Sequence, residues 1–221
     1  MNCFVASDLE GTLTAGEAWR GIGAYLKAHG RANAYRRFMA THFPGAILAK
    51  AGIVDKQTFK NRWLADQAKL LRGYSRVEVE TLAEWVAENE MWAKRRVAVV
   101  DELTKHHASG CTVLIASGAY EPITNAFARK LNLERVRGVS TPLEMVNGRA
   151  TGKLAAAIGV DAVKAQRVRE QIGDGALVAA YGDTGADAPL LELSRQPVAV
   201  APDEALRKIA NAKGWRILEG E

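Results

Sequence analysis

Cys3-Phe4-Val5-Ala6-Ser7-Asp8-Leu9-Glu10-Gly11-Thr12-Leu13-Thr14 is the stretch whose reading decides the fold. A short apolar run stops at two acids one residue apart, followed by a glycine and two threonines. The run is too short for a helix and does not alternate with polar residues, so it predicts a strand buried on both faces. Thr112–Ala116, Leu177–Tyr181 and Pro197–Ala201 share that character. Helices are predicted at 93–108, 121–131, 161–172, 187–193 and 203–213, between or after these runs. Short buried strands alternating with helices predict an α/β fold built on a parallel sheet. Val139–Met145 and Arg149–Gly152 flank Asn147-Gly148 and read as a small hairpin, because Asn-Gly suits a tight turn that needs positive φ.

Residues 15–90 have a different pattern. Trp19, Ile22, Tyr25 and Leu26, then Phe59, Trp63 and Leu64, then Val79, Leu82, Trp85 and Val86 recur at helical periods. Pro44, Gly45 and Gly52 are expected to break these helices. The segment predicts a helical module inserted after the first strand and its loop. Its tryptophans and Trp92 read as packing within that module or along its seam with the rest.

The composition narrows the function classes. The 221 residues are 48% hydrophobic and 25% charged, which excludes a disordered chain. The net charge of +5 comes mostly from residues 15–90, where 12 basic and 8 acidic side chains are spread at helical spacings. With no basic run to act as an arm, a nucleic-acid partner is not expected, and the mild excess suits steering of small anions. Cys3 and Cys111 make no CxxC pair and are read as two inert buried thiols. His106-His107 lacks metal-ligand spacing. There is no basic segment ahead of the first apolar run and no apolar stretch near the ~18 residues of a membrane span, so no membrane partner is expected and the expected compartment is the cytoplasm.

Three polar clusters follow three of the predicted strands. They are Asp8–Thr14, Ser117-Gly118-Ala119 and Gly182-Asp183-Thr184-Gly185-Ala186-Asp187. The carboxyl ends of parallel strands form the ligand crevice, so residues distant in sequence are predicted to meet there. Crowded carboxylates need a cation to offset repulsion and desolvation. Oxygen ligands with no partner Cys or His favour Mg²⁺.

These residues resemble the haloacid dehalogenase (HAD) superfamily and, within it, the phosphoserine-phosphatase-like branch. The DxDGT motif stands here as Asp8-Leu9-Glu10-Gly11-Thr12, and the strand-ending hydroxyl as Ser117. The lysine ahead of the next strand matches Lys164, with Lys153 as a rival, and GDxxxD is matched in full by Gly182 to Asp187. The resemblance implies a Rossmann-like core of residues 1–14 and 91–221 and an inserted C1-type helical cap of residues 15–90. It implies a Mg²⁺-dependent phosphatase acting on a small phosphorylated metabolite. Asp8 would be the nucleophile that carries phosphorus, and Glu10 the general acid and base. Ser117 and Lys164 would hold the phosphoryl oxygens, and Gly118 and Thr12 would lie against the substrate. Asp8, Asp183 and the Glu10 backbone carbonyl would ligate the metal, with Asp187 ligating through water or holding the metal's outer shell.

Three positions depart from that pattern: Glu10, Gln67, and Ala119 in Ser117-Gly118-Ala119 where the branch has Ser-Gly-Gly. Glu10 replaces the usual Asp and extends the carboxyl by ~1.3 Å, where ~1 Å of misplacement can cost on the order of 10²-fold. A similar Glu occurs in phosphoserine–homoserine phosphotransferase relatives, so transfer to an alcohol is one alternative to hydrolysis. A binding or regulatory protein that has lost turnover is another. Glu17 stands where the branch meets a substrate ammonium, whereas Gln67 stands where it carries an arginine for the substrate carboxylate.

Overall fold

The computed structural model describes residues 2–219. β1 (Cys3–Ser7) leads into a helical stretch of α1 (Ala18–Ala28), α2 (Ala32–Lys50), α3 (Lys56–Gln67), α4 (Arg76–Val86) and α5 (Val97–Ala108). Then come β2 (Thr112–Tyr120), α6 (Glu121–Lys130), β3 (Val136–Thr141), β4 (Leu143–Val146) and β5 (Arg149–Leu154). The chain closes with α7 (Asp161–Ile172), β6 (Ala176–Gly182), α8 (Ala188–Leu191), β7 (Gln196–Val200), α9 (Glu204–Lys213) and β8 (Arg216–Leu218). Six strands form one sheet in the order β3-β2-β1-β6-β7-β8, and every neighbouring pair is parallel. The chain leaves β1 for β2 on one side and later returns to β6 on the other. That switch of direction opens a crevice above the carboxyl ends of β1 and β6.

Strand alternation distributes β1 between two cores. Phe4 and Ala6 pack with Val168 of α7, Leu190 and Leu191 of α8, and Leu206 of α9. Val5 packs on the opposite face with Val99 and Leu103 of α5 and Ile123 and Phe127 of α6. The helical insert joins this second core through Ile22, Leu26, Leu82 and Val86. Trp92 meets Phe127 edge-on at the seam, with ring centroids 5.5 Å apart.

The structure corrects several expectations. Val139 belongs to β3 at the edge of the main sheet, and the hairpin is the antiparallel pair β4–β5. The C-terminal stretch adds an edge strand, β8. α2 runs through Pro44 and Gly45 to Lys50, and Gly52, at φ +75°, follows its end. Gly45 serves tertiary packing: a Cβ there would lie 2.8 Å from the Phe59 ring of α3. Cys3 and Cys111 are joined in a disulfide, their Cα atoms 4.5 Å apart. The parallel register opposes Phe4 to Thr112, which brings the two preceding cysteines side by side.

Candidate active site

Asp8 and Asp183 each stand where a strand has just ended. β1 stops at Ser7, and the Asp8 amide donates to the Tyr181 carbonyl of β6 at 2.9 Å, which fixes Asp8 at the switch point. β6 ends at Gly182, so Asp183 opens the adjoining loop. A short 3-10 turn brings Asp187 back, where one carboxylate oxygen accepts from the Thr184 amide at 3.1 Å and the Thr184 hydroxyl at 3.0 Å. Asp8, Asp183 and Asp187 each offer an oxygen, and the three atoms lie within 4.8 Å of one another.

Lys164 is the counter-charge. It lies in the first turn of α7, and its Nζ donates to Asp8 Oδ1 and to Asp187 Oδ1, both at 2.6 Å. Burial opposes its positive charge, but Asp187 and Asp8 outweigh that and hold the ammonium above its ordinary range. Burial likewise opposes charge on Asp187, yet Lys164 keeps that carboxyl below its usual value. One lysine does not balance three acids. Burial raises Asp183 to about 8, helped by Asp8 and Asp187, and burial raises Asp8 to about 6 against the pull of Lys164. Such crowding is relieved by a divalent cation, and an all-oxygen donor set fits Mg²⁺.

Glu10 is positioned from the helical side. Its Oε1 accepts from the Ala18 amide at 2.5 Å, so the N-terminus of α1 anchors the longer side chain. Burial raises its carboxyl to about 7, with the Ala18 bond opposing the shift. The Glu10 side chain is not one of the three clustered carboxylates.

The remaining sequence-predicted residues divide into two groups. Ser117 is buried, and its Oγ accepts from the Ala119 amide at 3.1 Å. Ser117, Gly118 and Glu17 line one cavity with Asp8, Glu10, Lys164, Asp183 and Asp187. Glu17 is half exposed there and pairs with Arg20. Thr12 points elsewhere: it is buried and donates to Asp183 Oδ1 at 3.0 Å, so it holds an acid of the site and does not line the cavity.

Two positioning residues escaped the sequence reading. The Thr141 hydroxyl donates to the Gly118 carbonyl at 2.8 Å and accepts from the Gly159 amide at 3.1 Å. It thus ties the C-terminal part of β2 to the approach of α7. Only correct placement of β3 would have located it. Arg96 donates through Nε to the Gly11 carbonyl at 3.0 Å and lines the cavity. Its arginine identity alone gave no signal.

The haloacid dehalogenase-like hydrolase family matches residues 5–192. A Mycobacterium tuberculosis protein named phosphoserine phosphatase SerB1 is 30% identical over 223 residues, covering 95% of this chain and 68% of that protein. The chain spans between 43% and 68% of the length of the first curated relatives it matches. A Bordetella pertussis protein of unknown function has a solved structure that superimposes with TM-score 0.80 at 24% identity, covering 99% and 98% of the two chains. A probable phosphoserine phosphatase from Vibrio cholerae gives TM-score 0.65 at 19% identity over 100% of this chain and 61% of that one. No helix among the described residues is long and apolar enough to cross a membrane. With its sheet order, its DxE and GDxxxD loops and the buried lysine between them, the chain belongs to the haloacid dehalogenase-like hydrolase family and is phosphoserine-phosphatase-like in fold.

Proposed function

We propose that the protein is a Mg²⁺-dependent phosphatase that hydrolyses a small phosphomonoester through an aspartyl-phosphate on Asp8. The observation that carries this reading is the meeting of Asp8, Lys164, Asp183 and Asp187 at the base of one cavity. The name of the Mycobacterium relative supports a phosphorylated small molecule as the partner.

Asp8, Asp183 and Asp187 are the side chains that would hold Mg²⁺. When bound, the ion offsets the charge of carboxylates and phosphate so that one anion can approach another. Lys164 holds one Asp8 oxygen and keeps the carboxylate oriented for attack. An Asp8 oxygen bonds to phosphorus, the ester P–O bond breaks, and Glu10 gives its proton to the departing alkoxide. Glu10 then takes a proton from a water whose oxygen attacks phosphorus, and the bond to Asp8 breaks to release phosphate. The Ser117 side chain and Lys164 lie where phosphoryl oxygens gather charge. The helical insert of residues 15–90 acts as the cap, screening the site from bulk water and shaping the leaving-group space.

The test is phosphate release from a phosphomonoester by the purified protein with Mg²⁺. Asp8→Asn should reduce release by at least about 10³-fold, since the nucleophile itself is removed, with the circular dichroism spectrum unchanged. Absence of turnover across a broad panel of phosphate esters, with folding intact, would favour a binding protein. Added alcohol acceptors should yield negligible phosphorylated alcohol; efficient capture would make the protein a phosphotransferase.

A further inference from the structure

The cavity above the acids is about 710 Å³, in the range of pockets that enclose drug-sized ligands and far more than a phosphate with a three-carbon chain fills. Its upper wall is aromatic and aliphatic: Trp19, Ile22, Met39, Phe43, Phe59 and Trp63. Trp19 and Trp63 meet edge to face at 5.6 Å, and Phe59 tilts against Trp63 at 5.8 Å. Phe43 lies at the opening, 58% exposed.

The polar side chains of this half are Gln67, the exposed Lys60, Glu17, which pairs with Arg20, and Gln57 and Asn61, which bond to each other at 2.8 Å. Trp63 Nε1 and Gln67 Oε1, one turn apart on α3, are fully buried and have no hydrogen-bond partner among the described residues. Gln67 spends its amide N–H on the Trp19 carbonyl at 3.2 Å. Of the three lining cations, Lys164 and Arg96 lie at the acid end and Lys60 on the helical side. Lys164 is held by two carboxylates and Arg96 by Gly11, while Lys60 is exposed.

We infer that the cap half of this cavity selects a phosphomonoester whose leaving group carries a flat aromatic or heteroaromatic ring, seated against Trp19, Phe59 and Trp63, in preference to a phosphorylated small amino acid. The inference rests on the phosphatase reading for where the phosphate sits. The ring position follows independently from the cavity wall. Aromatic walls reward a ring by burial and by edge or offset stacking, and they give a carboxylate nothing.

Three alkyl phosphates with similar leaving alkoxides isolate this effect from intrinsic reactivity: ethyl phosphate, 2-phenylethyl phosphate and 2-(imidazol-4-yl)ethyl phosphate, with phosphoserine alongside. The two ring esters should exceed ethyl phosphate and phosphoserine in kcat/KM by roughly ten- to a hundredfold, the range expected for burying one ring. Trp63→Ala should shrink that ratio toward one, and Trp63→Phe, the variant safer for folding, should keep most of the phenyl preference. Phosphoserine as the best substrate, its turnover lost in Lys60→Ala, would overturn the inference, as would equal rates for ethyl and phenylethyl esters. Titration of the protein with 2-(imidazol-4-yl)ethanol, followed by tryptophan fluorescence, needs no turnover and should give a saturable change that Trp63→Phe diminishes. No saturable change would overturn the ring site even if esters are hydrolysed, whereas ring binding without hydrolysis would overturn the phosphatase reading alone.

Discussion

Gly11 is the residue at which the backbone itself belongs to the site. Its φ is +92°, and a Cβ there would lie 2.0 Å from Asp183 Oδ2. Gly11→Ala therefore meets a left-handed conformation and a collision with an acid of the proposed metal cluster at once. The strain is expected to cost about 1–3 kcal/mol in urea unfolding. Displacement of Asp183 should lower kcat on a simple phosphate ester by at least about 10²-fold, since ~1 Å of misplacement is worth that much. A variant with wild-type activity would show that the loop yields freely. The same residue scale shows what sequence can reveal. Asp8, Ser117 and Asp183 could be singled out because each stands at the end of a buried apolar run, whereas Lys164 was named only through the family resemblance. Thr141 was hidden because β3, Val136–Thr141, is interrupted by Gly138 and Ser140 and does not read as a strand. The Cys3–Cys111 bond was hidden because strand register is a property of two segments together.

At the scale of elements, helical periodicity exposed the helices between β1 and β2, and the helix-breaking rule misplaced an end. Pro44 lacks an amide proton to donate, yet α2 continues through it, packed on α3 where Gly45 admits the Phe59 ring. Tertiary contact outweighed local preference, a balance that no single segment displays. α3 in turn is pinned to the sheet by one hydrogen bond, from the Tyr120 hydroxyl at the end of β2 to the Leu64 carbonyl at 2.5 Å. Leu64 also accepts from the Ala68 amide, so its carbonyl keeps a partner when the hydroxyl is removed. Tyr120→Phe is therefore expected to cost only about 0.5–1.5 kcal/mol in urea denaturation, the net value of an ordinary hydrogen bond. Its larger effect should be on α3: amide exchange across Lys56–Gln67 should quicken relative to the sheet. Uniform quickening in α3 and the sheet alike would show that the bond does not anchor this helix in particular.

The whole molecule depends on contacts that join distant parts of the chain across the sheet. Glu102 of α5 takes the Tyr181 hydroxyl of β6 at 2.8 Å and the Arg216 guanidinium of β8 at 2.9 Å, holding the C-terminal edge strand to the body. Arg216, opposed by partial burial and aided by Tyr181, keeps the Glu102 carboxyl below its ordinary 4.5. A folded-state pKa below the unfolded one gives stability that is full above pH 4.5 and is lost as pH falls through the lower, folded value. Glu102→Gln should thus lower the urea midpoint at pH 7, and the gap from wild type should close near pH 3; an equal gap at both values would remove the charge from the account. The acid cluster makes the opposite demand on the molecule, because Asp8, Asp183 and Asp187 are brought together by the ends of β1 and β6 and carry more negative charge than Lys164 offsets. Folding alone assembles this cluster, so a cation bound there favours the folded state over the unfolded chain. Mg²⁺ at a hundred times its dissociation constant is worth ~2.7 kcal/mol, which for a chain of this size is roughly 5–10 °C in Tm. Scanning calorimetry with Mg²⁺ and with EDTA measures that difference directly. Asp183→Asn should abolish most of it while Glu102→Gln leaves it intact, and a Tm indifferent to Mg²⁺ in the wild-type protein would mean that the three carboxylates hold no cation.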